Sequence, residues 1–334
     1  ARLSPVPFQP AAHDARLFPH DEWAKLLEQT WRNPDNRAAS GIDPSGHPAL
    51  REAIAHHLHE WRGLRCQPSQ VFVTAGGGDA TQLLIRAIGL VGQKVVLEDP
   101  GYPLFASELA QQGVDVVPVA VDEDGLDPAA MPAARLAITT PSRHYPTGVT
   151  MPLARRLDLL AWSDRHQALI LEDDFDSEYR YRGTPLPTLI GLADNKRVLY
   201  MGSFSKVFTP QLRLGYLVVP EPLAGSFEHV LKQRGPLASA IAQPALAQFM
   251  ASGRFATHIR RMRRVYSVRQ QALVESVSRH LAGLLVVQAE AGGMHLTARL
   301  CAGLAERMND VQVSQKAREA GPVSYTHLTL PTKI

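Results

Sequence analysis

Short apolar runs alternate with stretches of helical periodicity along most of the chain. Val71-Phe-Val-Thr74, Lys94-Val-Val-Leu97, Val114–Val121, Leu136-Ala-Ile-Thr-Thr140, Ala168-Leu-Ile-Leu171, Val198-Leu-Tyr-Met201 and Tyr216-Leu-Val-Val219 read as strands. Between them, Leu83, Leu84, Ala87, Ile88 and Val91 recur on one helical face, as do Leu50, Ile54, Leu58 and Trp61 earlier. A helix over about 152–166 is expected to bury Leu153, Leu157, Leu160 and Ala161, and from about Pro236 to Leu281 the pattern is again helical. Gly292-Gly-Met-His-Leu296 reads as the start of a later strand. Strands separated by helices predict an α/β fold with a doubly wound, mostly parallel sheet.

Punctuation divides the chain. Residues 1–40, rich in Pro, His and Arg, read as an N-terminal arm, with a helix expected from about Trp23 through Trp31. Gly41-Ile-Asp-Pro-Ser-Gly46 is turn chemistry and opens a large domain over 41–222, which Pro220-Glu-Pro222 closes. Connecting helices and a smaller C-terminal α+β domain are expected over 223–322. Val323–Thr332 breaks the preceding pattern and resembles translated adapter sequence, so 323–334 is expected to be a non-native tail that leaves the small domain truncated.

Composition narrows the classes. With 334 residues, 45% of them hydrophobic and 20% charged, the chain can bury two lobes of ordinary globular type. A net charge of +3 is too mild to argue for nucleic acid by itself. Cys66 and Cys301 stand far apart, which favours a reduced, cytoplasmic setting, and no apolar run reaches the roughly 18 residues of a membrane span. The arginine-rich stretch Arg254–Arg269 could face acidic partners or DNA, but the default expectation is a solvated helix face or dimer rim.

The candidate chemistry centres on Met201-Gly-Ser-Phe-Ser-Lys206, the turn at the carboxyl end of an expected strand, the edge where open α/β sheets bind ligands. A lysine there is costly to bury as an ammonium and suits imine formation with a carbonyl. Ser203, Ser205 and Arg213 supply hydroxyls and a guanidinium fork for a phosphate, so the pair of functions suggests pyridoxal 5′-phosphate. Ala75-Gly-Gly-Gly78, between a strand and a helix, is a further anion cradle. Glu172-Asp-Asp-Phe-Asp-Ser-Glu-Tyr179 could hold a pyridine nitrogen protonated; the competing readings are a hard-metal site and, for most of its carboxylates, a solvated loop. Ser203-Phe-Ser-Lys206 also matches the Ser-x-x-Lys of serine acylases, without the companion motifs.

Together these stretches resemble the fold type I pyridoxal-phosphate enzymes, the aspartate aminotransferase superfamily, and most of all the aminotransferase-like domain of MocR-type regulators of the GntR family. Gly202–Lys206 with Leu212-Arg-Leu-Gly215 is the superfamily's signature, while Glu172–Tyr181, Thr140–Gly148 and Glu98-Asp-Pro-Gly-Tyr102 lean towards the regulators. The resemblance runs from about Pro7 to Arg299. It implies that Lys206 forms an aldimine with the cofactor and that Asp173 pairs with its pyridine nitrogen. Gly77 and Gly78 amides, Ser203, Ser205 and Arg213 would hold the phosphate, and Tyr102 would cover the ring.

The chain also departs from the family's pattern. Phe175 stands where the family often has a tyrosine touching the cofactor's phenolic oxygen, Tyr145 stands where many aminotransferases have an asparagine, and Gly41 replaces a tyrosine. The small-lobe arginine that clamps a substrate carboxylate is expected beyond this chain's reach. The resemblance therefore implies an effector and dimerisation domain that senses pyridoxal phosphate or a small amino compound, pairs as a homodimer, and reaches DNA only through a helix-turn-helix preceding Ala1. The alternative is a class I/II aminotransferase moving an amino group between an amino acid and a 2-oxo acid, with weak turnover expected.

Overall fold

The structure, a computed structural model, describes residues 14–33, 43–184, 186–193 and 196–321. Gly41, parts of the arm and the 323–334 tail lie outside them. In chain order the elements are α1 (His20–Arg32), α2 (Pro48–Arg62), β1 (Val71–Thr74), α3 (Gly77–Ala87), β2 (Lys94–Asp99), α4 (Pro103–Gln111), β3 (Asp115–Asp122) and β4 (Gly125–Leu126). There follow β5 (Leu136–Thr139), α5 (Leu153–His166), β6 (Leu169–Asp174), α6 (Leu189–Leu192), β7 (Val198–Ser203), α7 (Phe204–Val207) and β8 (Gly215–Val218). The chain continues through α8 (Glu221–Arg234), α9 (Gln243–Ala251), α10 (Arg254–His280), β9 (Leu285–Val287), β10 (Ala298–Leu300), α11 (Ala302–Ala305) and α12 (Asp310–Glu319).

Eight strands form one sheet in the order β1-β8-β7-β6-β5-β2-β3-β4. The run β7-β6-β5-β2-β3 is parallel, β8 is antiparallel to both neighbours, and β4 folds back on β3. The expected doubly wound, mostly parallel sheet is thus present. Alternation along each strand explains why both faces are covered. Val71, Val73, Ile170, Val198, Tyr200 and Val218 pack into one core with α2, α9 and α10, whereas Phe72, Leu169, Leu171, Leu199 and Leu217 pack into the other with α3, α4 and α8.

Several local expectations are corrected. In α5, Leu153 and Leu157 are 43% and 50% exposed, and the buried residues are Arg156, Leu159, Trp162 and Ser163. Arg156 takes the inward position because its guanidinium donates to the carbonyls of Met151 (3.0 Å), Pro141 (2.6 Å) and Pro187 (3.0 Å), which a leucine cannot do. α8 begins directly at Glu221, since proline in the first helical turn costs no hydrogen bond. Gly292–Leu296 contributes only a single bridge, Arg180 with Gly292, and the paired strands lie on either side of it, at β9 and β10. β6 and β7 each extend beyond the apolar run, β6 by three acidic residues, because backbone pairing continues from Asp173 to Met201 and from Asp174 to Gly202.

Candidate functional site

The parallel strands β1, β2, β5, β6 and β7 end at one edge, where the antiparallel β8 begins. Register there is explicit: Thr74 and Ser203 both pair with Gly215, and Asp173 pairs with Met201. The glycine turn after β1, the Lys206 turn after β7 and Arg213, two residues before Gly215, are therefore brought together. So are Asp173 from β6, Tyr102 following β2 and Tyr145 following β5. The site residues expected from sequence share this edge.

Local backbone chemistry builds the cradle. Gly76 caps α3 at φ 90°, a conformation that favours glycine, and leaves the first-turn amides of Gly77 and Gly78 directed out of the helix. Ser203 caps α7 by accepting from the Ser205 amide at 3.1 Å, which leaves the Ser203 hydroxyl hydrogen to donate elsewhere. Arg213 sits in the left-handed region at φ 50°, an uncommon conformation for a residue with a side chain. It is exposed, its amide donates to the Pro210 carbonyl at 3.2 Å, and its guanidinium makes no hydrogen bond or ion pair to another described residue. Gly202 is required by packing, because a Cβ there would lie 2.2 Å from the Tyr216 ring.

Strand alternation separates the carboxylates of β6. Glu172 and Asp174 turn to one face: Asp174 meets Arg62 at 2.9 Å, the Tyr200 hydroxyl at 2.7 Å and Ser177 at 2.8 Å, while Glu172 lies 3.8 Å from Arg156. Asp176 pairs with Arg143 and Glu178 with His57. The acidic stretch is thus a buried network, not a solvated loop. Among the described residues no group of three His, Cys, Asp or Glu side chains is placed to hold a metal ion.

Asp173 is the exception. It is 8% exposed and has no hydrogen bond or ion pair to a described residue. Burial pushes its carboxyl well above the usual range, with the charges of Asp174, Glu98 and Asp176 adding to the effect and Lys206 opposing it. Burial likewise pushes the Lys206 ammonium down, against the pull of Asp176 and Asp173. Asp173 is buried and Lys206 half-buried, the two lie within electrostatic reach, and neither side chain has a hydrogen bond or ion pair to a described residue, which suits a group that answers both. The unengaged Asp173 carboxylate, the α3 amides and the free Arg213 fork fit the pyridine nitrogen and the phosphate of pyridoxal phosphate.

Aromatic rings close the site. Tyr102 meets Tyr145 edge to face at 5.6 Å, and Tyr145 meets Phe175 at 6.1 Å. Burial and the Asp173 charge push the Tyr102 hydroxyl up, with Tyr145 adding to the effect and Arg213 opposing it. Three residues were not anticipated from sequence. His295 stacks on Phe175 at 6.3 Å, and burial with the charges of Arg143 and Lys206 drives its imidazole down to about 3, so it is neutral. Arg143 pairs with Glu290 at 2.5 Å and donates to the His295 carbonyl at 2.7 Å, fastening residues 290–295 to the loop after β5. The clue in the sequence was Gly293, where a Cβ would meet the Arg143 guanidinium at 2.3 Å.

The fold, the Lys206 turn and the buried Asp173 define an aminotransferase-type protein. The aminotransferase class I and II family matches residues 11–333, and the chain belongs to that family. It is 40% identical over 326 residues to the probable rhizopine catabolism regulatory protein MocR of Rhizobium meliloti, covering 97% of this chain and 65% of that protein. It is 38% identical to the pyridoxine biosynthesis transcriptional regulator PdxR of Corynebacterium glutamicum (76% and 57% covered), and 30% identical to the 2-aminoadipate transaminase of Thermus thermophilus (86% and 73%). The chain thus spans about two thirds of the length of the regulator MocR. Among solved structures, the Thermus thermophilus α-aminoadipate aminotransferase LysN, complexed with N-(5′-phosphopyridoxyl)-L-leucine, superimposes with a TM-score of 0.82 at 26% identity, covering 95% of this chain and 81% of that one. An archaeal alanine:glyoxylate aminotransferase gives 0.86 at 22% identity (96% and 81%), a likeness of fold.

Proposed function

We propose that this chain is the pyridoxal-phosphate-binding, aminotransferase-like effector and dimerisation domain of a MocR-type transcription regulator. The observation that carries the cofactor reading is Asp173, a buried carboxylate without a hydrogen bond or ion pair among the described residues, at the strand edge that also presents Lys206. The regulator reading is supported by the MocR and PdxR relatives, which are longer than this chain. Arms, lobes and tail are proposed as 1–40, 41–222, 223–322 and 323–334, and operator recognition falls to a helix-turn-helix portion outside 1–334. The effector is a small amino compound or the cofactor itself, the assembly a homodimer, and the setting the cytoplasm. The described helices include none long and apolar enough to cross a membrane.

Each residue has a definable task. Gly77 and Gly78 amides, the hydroxyls of Ser203 and Ser205, and the Arg213 guanidinium hold the phosphate oxygens. Asp173 would face the pyridine nitrogen and keep it protonated by its negative charge, and the cationic nitrogen would offset the burial and like charges that push this carboxyl up. Tyr102 and Tyr145 bound the ring and limit water. When bound, the cofactor supplies an aldehyde that condenses with an amine and a ring that withdraws electrons. Lys206, its ammonium destabilised by burial, offers the amine and can move a proton at a ligand's Cα. Phe175 has no hydroxyl to donate to the phenolic oxygen, so the site is better equipped to bind than to turn over.

An aminotransferase remains the second reading, favoured by the likeness to the 2-aminoadipate transaminase. Adding pyridoxal phosphate to the purified chain should produce a visible absorbance band that Lys206→Ala abolishes; an unchanged band in that variant would refute the assignment. Steady conversion of an amino acid and a 2-oxo acid would decide for the enzyme.

A further inference from the structure

Helix α10 concentrates the positive charge of the molecule. Its 27 residues include seven arginines and one carboxylate, Glu275, in a chain whose net charge is +3, so the remaining residues carry a net −3. Some arginines elsewhere are answered by acids: Arg155 faces Asp122, Asp124 and Asp127, and Arg234 pairs with Asp79 at 2.6 Å. On α10, Arg269 reaches Asp14 at 2.6 Å, Arg263 donates to the Arg180 carbonyl across the Trp61 ring, and Arg254 lies 4.0 Å from Glu22. Arg260, Arg261 and Arg264 are exposed and make no hydrogen bond or ion pair to a described residue. Their spacing of three and four makes them neighbours on one face, where like charges weaken a helix. An anionic partner removes that repulsion.

We propose that the Arg260, Arg261 and Arg264 face of α10 docks on the phosphate backbone of duplex DNA. Phe255, Ile259 and Met262 of α10 are buried in the core and Val268 is its one large apolar side chain that is mostly exposed, so the exposed face lacks the broad apolar surface with which a helix enters a lipid interface. Described aromatic residues are likewise missing from this patch, which excludes base stacking and leaves sequence-independent contact with phosphates. Guanidinium forks suit phosphate oxygens, and the choice of duplex DNA rests on the regulator reading above, the longer relative PdxR being named as an HTH-type transcriptional regulator. The contact extends the earlier expectation that DNA is reached only through a helix-turn-helix. It does not depend on the cofactor reading.

The test is fluorescence anisotropy of the whole chain with a labelled duplex of about 20 base pairs and arbitrary sequence, at 50 and 200 mM salt. Neutralising three phosphates predicts an affinity loss of about 40-fold across that interval. Combining Arg260→Gln, Arg261→Gln and Arg264→Gln should flatten the logarithmic salt slope by about 2.7 while the melting temperature is kept; should the triple variant unfold, Arg264→Gln alone should flatten it by about 0.9. A control triple at exposed positions elsewhere, Arg32→Gln, Arg165→Gln and Arg299→Gln, should leave the slope unchanged. The proposal is overturned by absence of binding at 50 mM salt, by an equal loss in the control triple, or by binding to phosphatidylserine vesicles without binding to the duplex.

Discussion

The two faces of β6 carry adjacent carboxylates with opposite fates. On one face, Asp174 is held by Arg62, Tyr200 and Ser177, and Glu172 by Arg156 and the Ile190 amide at 3.3 Å. On the other, Asp173 is also buried, at 8% exposed, and its carboxyl has no hydrogen bond or ion pair to a described residue. Burial therefore does not separate structural from functional acids here; satisfaction does. A buried charge surrounded by its own donors is part of the scaffold, and one surrounded by none is a place kept for a ligand.

Substitutions on the two faces should break this contrast in opposite directions. Asp174→Ala leaves Arg62 buried without its counterion, and should cost about 3–5 kcal/mol in urea denaturation. Asp173→Asn removes an uncompensated buried acid, so the cofactor-free protein should be no less stable. Its affinity for pyridoxal phosphate, read by spectral titration, should fall by roughly 100-fold, about 2.7 kcal/mol. A matched loss of stability in both variants would dissolve the distinction.

Acidity sharpens it further. Burial, with the Asp174 charge, raises the Glu172 carboxyl to about 7 from 4.5, against Arg62 and Arg156. A carboxyl raised in the folded state binds more protons there than in the unfolded chain, so its stabilising contribution is complete below pH 4.5 and is lost as pH rises through about 7. Glu172→Gln should remove that decline, a difference of about 2 kcal/mol between pH 5 and 7 by denaturation at each pH. The smallest effect is expected from Gly202→Ala, whose methyl meets the Tyr216 ring, at about 1–2 kcal/mol in thermal unfolding.

The strands of the large sheet were legible because their apolar runs are short and bounded by turns, and the seven expected between Val71 and Val219 are present, whereas Gly292–Leu296 is not a strand. The Lys206 turn and Arg213 were legible because they lie close in sequence to one another. Asp173 follows the apolar run Ala168–Leu171 by two residues, and strand alternation turns its neighbour Asp174 to Arg62. The α5 face was misjudged because leucine spacing is equally consistent with an exposed stripe once Arg156 fills the inward position. His295, Arg143 and Glu290 were missed because their contacts span about 150 residues, and local pattern carries no record of such pairs.

By itself the sequence determined the alternation of strands and helices, the nucleophilic amine and the phosphate-binding residue types, since these are properties of short segments. Only the tertiary structure decided which of five neighbouring carboxylates lacks a partner, which arginines of α10 lack one, and that residues 290–295 are fastened across the site. Satisfaction of a charge is a relation between distant segments, and it exists only once the sheet edge has brought them within hydrogen-bonding reach.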